Sequence, residues 1–198
     1  MTITGWTDEN SGAVTHSRDL GSSDNGSENA VQVNNIVDNG TYYTFNGVDS
    51  HLSWDTSASE ASYDYKVKFR LHNKTKNLAQ VMWKSGGNTN GVALGLDASN
   101  NLGIFARQND SLSSITFDNS RFEENVWYIL YASSSVITLY DITNNTWIRQ
   151  FGTVNFGNGT GNESIGAGNH ISASGSSTSI INTLADPNNF FEGDIDFI

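Results

Sequence analysis

"YYTFNGVDSHLSW", residues 42–54, decides how this chain is read. Tyr43 and Phe45 stand two apart, the spacing that puts both side chains on one face of an extended strand. Asn46-Gly47 follows, a dipeptide that favours a tight turn because both residues tolerate positive φ. Asp49-Ser50 completes the bend, which carries the chain into Leu52 and Trp54. The stretch therefore reads as an early strand with inward Tyr43 and Phe45, a turn, and a second strand. His51 has no acid or nucleophile at a spacing that marks a catalytic group, so a surface position is expected for it. Asp49 is left with two roles, bracing the turn or lending an oxygen to a metal.

The same pattern recurs along the chain. Short β-like runs return at intervals of about ten residues with turn residues between them, the pattern of an all-β sandwich. In "YDYKVKFRL" (63–71), Tyr63, Tyr65, Val67, Phe69 and Leu71 fall on one face, and Asp64, Lys66, Lys68 and Arg70 on the other. That strand has one wet face. "VWYILYA" (126–132) is apolar at nearly every position, so it is expected centrally, covered on both sides. "DASNN" (97–101), "SSS" (133–135) and "TNN" (143–145) read as hairpin turns. No internal repeat, long helical pattern or Pro-rich linker divides the 198 residues, which suit a single domain over 1–198. Residues 7–41 and 166–188 are the loop-like stretches; the second reads either as a binding loop or as a surface excursion.

Composition narrows the function classes. Five Trp, seven Tyr and ten Phe supply a core despite 16% charged residues. With no Cys, disulfides, thiolate metal sites and Cys nucleophiles are excluded. A net charge of −11 repels phosphate backbones and anionic membrane surfaces, which argues against nucleic-acid partners. No apolar run has the length of a membrane span, so no membrane insertion is expected. "MTITGWTDENSG" lacks a basic region followed by an apolar one, so no N-terminal signal peptide is expected. An extracellular, cell-surface or virion location then requires a signal elsewhere in a larger parent or another exit route.

Several motifs in order carry a resemblance. They are "GWTDENSG" with the following Asp- and Gly-containing loop, "FNGVDSHLSW", "VWYILYASSSVITLYD", "IGAGN" (165–169) and "FFEGDIDFI" (190–198). Together they resemble the laminin-G-like, concanavalin-A-like jelly roll found in surface proteins of bacteria and phages. The resemblance spans nearly the whole chain, departing from the pattern at 170–188. It implies two curved antiparallel sheets with the first and last strands adjacent. It does not imply one activity, because lectins, carbohydrate-binding modules, adhesin spacers and some glycosidases share this architecture.

Catalysis finds little support in the residues. Glycosidases need two carboxylates about 5–9 Å apart across the scissile bond, and no Glu-x-Asp-x-(x)-Glu run is present. Glu123 and Glu124 are adjacent and would point to opposite faces of an extended chain. No Gly-x-Ser-x-Gly elbow accompanies the four His. Calcium is a second expectation: the resemblance implies a structural ion held by Asp19 of the N-terminal loop and Asp196 of the last strand, with Asp49 a further oxygen donor. The competing reading is solvated loop acids. Sugars are held by aromatic faces together with planar polar groups. Near hairpin ends the candidates are Trp83 with Asn88 and Asn90, Arg107, and Trp147 beside Asn144 and Asn145. Burial in the core competes for each Trp. Two functions follow: a non-catalytic lectin-like module binding a glycan or cell-surface polysaccharide, or a structural module in contact with other virion or adhesin subunits.

Overall fold

The computed structural model describes residues 32–56, 64–76, 78–86, 90–109, 111–157, 161–167 and 189–197. Strands alternate as the sequence pattern demands. They are β1 (Gln32–Asn34), β2 (Val37–Asp38), β3 (Tyr43–Asn46), β4 (His51–Thr56), β5 (Tyr65–Leu71), β6 (Gln80–Gly86) and β7 (Gly91–Leu96). β8 (Leu102–Gln108), β9 (Ser111–Phe117), β10 (Trp127–Ala132), β11 (Val136–Asp141), β12 (Thr146–Phe151), β13 (Gly161–Ile165) and β14 (Glu192–Phe197) follow. One 3-10 turn, Asn119–Arg121, precedes β10. The strands form two antiparallel seven-stranded sheets, ordered β1-β4-β13-β6-β7-β8-β9 and β12-β11-β10-β5-β14-β3-β2. This is a jelly-roll sandwich, and β14 sits between β5 and the early strand β3.

The core lies between the sheets. From the second sheet it takes Tyr43, Phe45, Tyr65, Val67, Phe69, Leu71, Tyr128, Leu130, Ile137, Leu139 and Ile195; from the first, Val92, Leu94, Leu102, Ile104 and Ile115 are prominent. β5 alternates buried and half-buried residues along its length, as its sequence predicts. β6 and β7 are buried at every position. Their other face holds a small separate cluster of Ala79, Val81, Ala93 and Phe105. A bulge separates the two clusters within β6: Val81 opposes Gly95 and Trp83 opposes Leu94, leaving Met82 as the extra residue. An inserted residue reverses side-chain parity. Val81 therefore faces the small cluster, while both Met82 and Trp83 reach the main core.

The turn in the opening motif is built on Asn46. Its Oδ1 accepts the backbone N–H groups of Val48, Asp49 and Ser50 at 2.9, 3.0 and 3.1 Å. Gly47 has φ +72°, and a Cβ there would run into the Glu192 side chain on the neighbouring strand. Ser50, fully buried, donates to Asn35 O at 2.6 Å and accepts from Asn46 N at 3.1 Å. The expected surface position of His51 is corrected: it is 3% exposed, with its ring beside Phe190 and Nδ1 at 2.8 Å from Asp49 O. The turn bends His51 inward, away from solvent.

A second correction concerns β10. It is central, paired with β5 and β11. Its outer face, however, carries Trp127, Ile129 and Tyr131 only half buried. What shields these rings is the wet face of β5. Lys66 lies over Tyr131 (5.7 Å), and Lys68 and Arg70 lie over Trp127 (5.4 and 5.0 Å). Long cationic side chains cover apolar surface with their stems while the charge stays wet.

The seam at β14 is fixed by Asp194, 1% exposed on that same face. Its Oδ1 accepts from Thr44 Oγ1 of β3 at 2.6 Å. Its Oδ2 accepts from Arg70 Nε and Nη2 of β5 at 2.7 and 2.6 Å and meets His72 Nε2 at 2.9 Å. One carboxylate thus joins three strands, and its burial is compensated by cationic and hydroxyl donors.

Candidate ligand-binding face

The sequence candidates separate in space. Trp83 is 7% exposed, inside the core with its ring 5.0 Å from Tyr65. Asn90 and Arg107 come together at one end of β7 and β8, where Arg107 pairs with Gly91 next to Asn90. Asn90 is half buried, and its Oδ1 accepts from Asn109 N at 2.9 Å and leaves no room for a Cβ on Gly157. Its side chain is thereby engaged in tying two loop segments together. Asn88, Asp19 and most of the 166–188 stretch lie outside the described residues. Trp147 stands on β12, in the other sheet.

The calcium the resemblance implies needs several oxygens converging on one point. Asp49 lies at the Asn46 end of β3, the end that pairs with Glu192. Asp196 lies four residues further along β14, roughly 13 Å away at the usual rise per residue. Asp49 is held by the side-chain amides of Asn35 and Asn46 at 2.6 and 2.7 Å. Those amides, Asn46 foremost, hold its carboxyl below the ordinary carboxylate range. Asp196 is ion-paired with Lys68. These two carboxylates do not fit a common ion, and among the described residues no group of three or more His, Asp or Glu is placed to hold one.

What the second sheet does assemble is an aromatic platform on its outer face. The hairpin between β11 and β12 turns on Asp141, whose carboxylate accepts from Asn144 N and Nδ2 at 2.9 and 2.8 Å, and on Asn145 at φ +53°. This sets Tyr140 opposite Trp147, Thr138 opposite Arg149 and Val136 opposite Phe151. Ile148, the alternate residue, packs on the core, so Trp147, Arg149 and Phe151 all face outward. The Trp147 ring stacks on Tyr140 at 4.2 Å and 26°, and leans toward Tyr131 at 5.7 Å. Tyr140 is itself fixed, its hydroxyl donating to Asn145 Oδ1 at 2.8 Å. Even so, Trp147 remains 51% exposed. One ring face rests on a held neighbour and the rest meets water. A surface of this kind suits a ligand with an apolar ring face and polar edges.

Of the residues forming this platform, only Trp147 stands out from hairpin position alone. Tyr131, Tyr140, Arg149 and Phe151 carry a weaker sequence signal. In "TWIRQF" the inward set is Thr146, Ile148 and Gln150, and only Ile148 is apolar. The larger rings of that strand must therefore sit on the outer face.

No family model matches the sequence, and no curated protein matches it. Solved structures do resemble the fold. Domains LG4–5 of the mouse laminin alpha1 chain align with a TM-score of 0.50 at 14% identity, over 78% of this chain and 39% of that one. The enzymatically active domain of tailspike protein 2 from bacteriophage CBA120 aligns at 0.46 and 15%, over 71% and 24%. Carbohydrate-binding module CBM66 from Bacillus subtilis aligns at 0.40 and 12%, over 84% and 89%. The chain thus spans well under half of the laminin and tailspike chains. The laminin likeness establishes the fold as a laminin-G-like, concanavalin-A-like jelly roll, as its motifs imply. Among the described residues no helix is long and apolar enough to cross a membrane.

Proposed function

We propose that this protein is a non-catalytic, lectin-like carbohydrate-binding module, and that the outer face of the second sheet holds the glycan. The observation that carries this is Trp147, 51% exposed yet stacked on an anchored Tyr140. A ring already fixed loses little conformational freedom on binding, so its contact area converts into affinity efficiently. The carbohydrate-binding module among the structures of similar fold belongs to the same class of activity. The rim residues Asn90 and Arg107 lie on the other sheet and belong to a separate surface.

Affinity gels containing β-glucan, xylan, mannan, dextran or polygalacturonate, backed by a glycan array, test the proposal. The wild-type protein is expected to be retarded by at least one polysaccharide. Trp147→Ala should weaken that interaction about tenfold or more, the equivalent of ~1.4 kcal/mol. Absence of binding to every glycan would sink the reading and leave the assembly role. That second reading, a structural module of a phage virion or bacterial adhesin, draws on the exposed edge strand β12. It presents Trp147 and Phe151 beside solvent, where another subunit could pack.

A further inference from the structure

We infer that the site takes a linear oligosaccharide lying along β12, several sugar units long, rather than a single terminal sugar; this rests on the glycan reading above. Among the described residues the exposed large hydrophobic side chains are Val37, Val48, Leu112, Trp147 and Phe151. The two aromatic ones share one strand and one face, at i and i+4. Phe151 is 71% exposed. A single exposed ring is ordinary on a protein surface, but two in line on an edge strand, with a guanidinium between them, form a track. Four residues of strand separate their Cα atoms by roughly 13 Å. That is longer than one pyranose ring, so one sugar cannot touch both.

Arg149 occupies the middle of the track. It is exposed on the same face, opposite Thr138, and makes no ion pair among the described residues. Lys68 and Arg70 of the same sheet, by contrast, are committed to Asp196 and Asp194. A guanidinium offers several N–H donors in a fixed fork and accepts none. It therefore suits the hydroxyl and ring oxygens of a sugar bridging two stacked units. The floor beneath runs Tyr140, Thr138, Val136, ring to hydroxyl to methyls, in register with Trp147, Arg149 and Phe151. The Trp147 end is anchored by Tyr140 and its hydrogen bond to Asn145. The Phe151 end has no ring partner among the described residues, so it adds contact without being the anchor.

The division of labour gives a chain-length test. Oligosaccharides of two to six units, prepared from whichever polysaccharide most retards the wild-type protein, are titrated calorimetrically. Affinity should rise about tenfold between the disaccharide and the point where the ligand reaches both rings, then level off. Phe151→Ala should erase that gain while leaving disaccharide affinity within twofold, and Phe151→Trp should keep it. Trp147→Ala should weaken every length. Melting temperatures of the Phe151 variants should match wild type, since the side chain is largely in water. Equal affinity for two and six units, or a full length-dependent gain in Phe151→Ala, overturns the track and leaves the glycan reading standing. No binding by any polysaccharide removes both.

Discussion

Replacing Asp194 by Asn is the sharpest probe of how the second sheet is closed. The substitution keeps the shape but removes the charge, and turns one oxygen into an N–H donor. Thr44 can still donate to the remaining carbonyl oxygen. The Arg70 fork and His72, which now converge on Oδ2, would face an amide instead. Breaking one partner of a fully buried ion pair costs ~3–5 kcal/mol. Here Arg70 and His72 side chains are 28% and 31% exposed, so water recovers part of the loss. The expected cost is then about 2–3 kcal/mol. For a chain of 198 residues that is a fall in Tm of roughly 4–12 °C. Asp196→Asn is the matched control, two residues along the same strand. Its pair with Lys68 is 26% and 30% exposed and is worth at most ~1 kcal/mol. Urea titrations of both variants, checked for an unchanged m-value, give the comparison. If Asp194→Asn costs no more than Asp196→Asn, the seam is not held by Asp194.

Three further outcomes follow from the same structure. Gly166 has φ +79°, and a Cβ there would overlap the Phe45 ring and lie 3.1 Å from Ser50 O. Gly166→Ala should therefore destabilise by ~3 kcal/mol or more in chemical denaturation, since backbone strain and overpacking add. Asp49 has a folded pKa lowered by its amide donors, so its contribution is full above the ordinary carboxyl value and is lost as pH falls through the folded one. The stability difference between wild type and Asp49→Asn should be constant at mildly acidic pH and shrink as pH falls below the ordinary carboxyl value; a difference that stays flat on acidification would refute it. Trp147→Ala should cost about 1 kcal/mol of stability, the worth of its half-exposed stack on Tyr140, whatever it does to glycan binding.

Most of the fold was legible because strand alternation is a local property. Tyr43 and Phe45 face inward as their spacing requires, and Tyr65, Val67, Phe69 and Leu71 line the core in strict period two. The hairpin turns near 97–101 and 143–145 carry Asn100 and Asn145 at positive φ, the conformation their residue type tolerates. What local pattern could not show was set by neighbours distant in sequence. Trp83 shares parity with Val81, and only the unpaired Met82 between them turns it into the core. The outer rings of β10 are shielded by cations of β5, some sixty residues earlier, so an apolar run did not mean full burial on both faces. His51 was drawn inward by a turn in which three backbone N–H groups converge on the Asn46 side chain. The platform was half legible. Hairpin position singled out Trp147, but its support by Tyr140 and Tyr131 depends on the register of three strands.

The placement of β14 between β3 and β5 has a consequence for how the molecule is made. The Thr44–Asp194 bond closes a loop of 150 residues. Pairings of such sequence separation form slowly, because the chain must first meet the entropy of bringing its ends together. During synthesis β3 and β5 emerge long before the strand that fits between them, and until it arrives each presents an open edge. Edges of that kind are templates for pairing with other chains. Lys66, Lys68 and Arg70 on β5 are well placed to limit that hazard, since like charges lined along a waiting edge discourage a second copy from docking there. The cations that cover the aromatic rings of the finished sheet thus also disfavour edge-to-edge pairing of the half-made one.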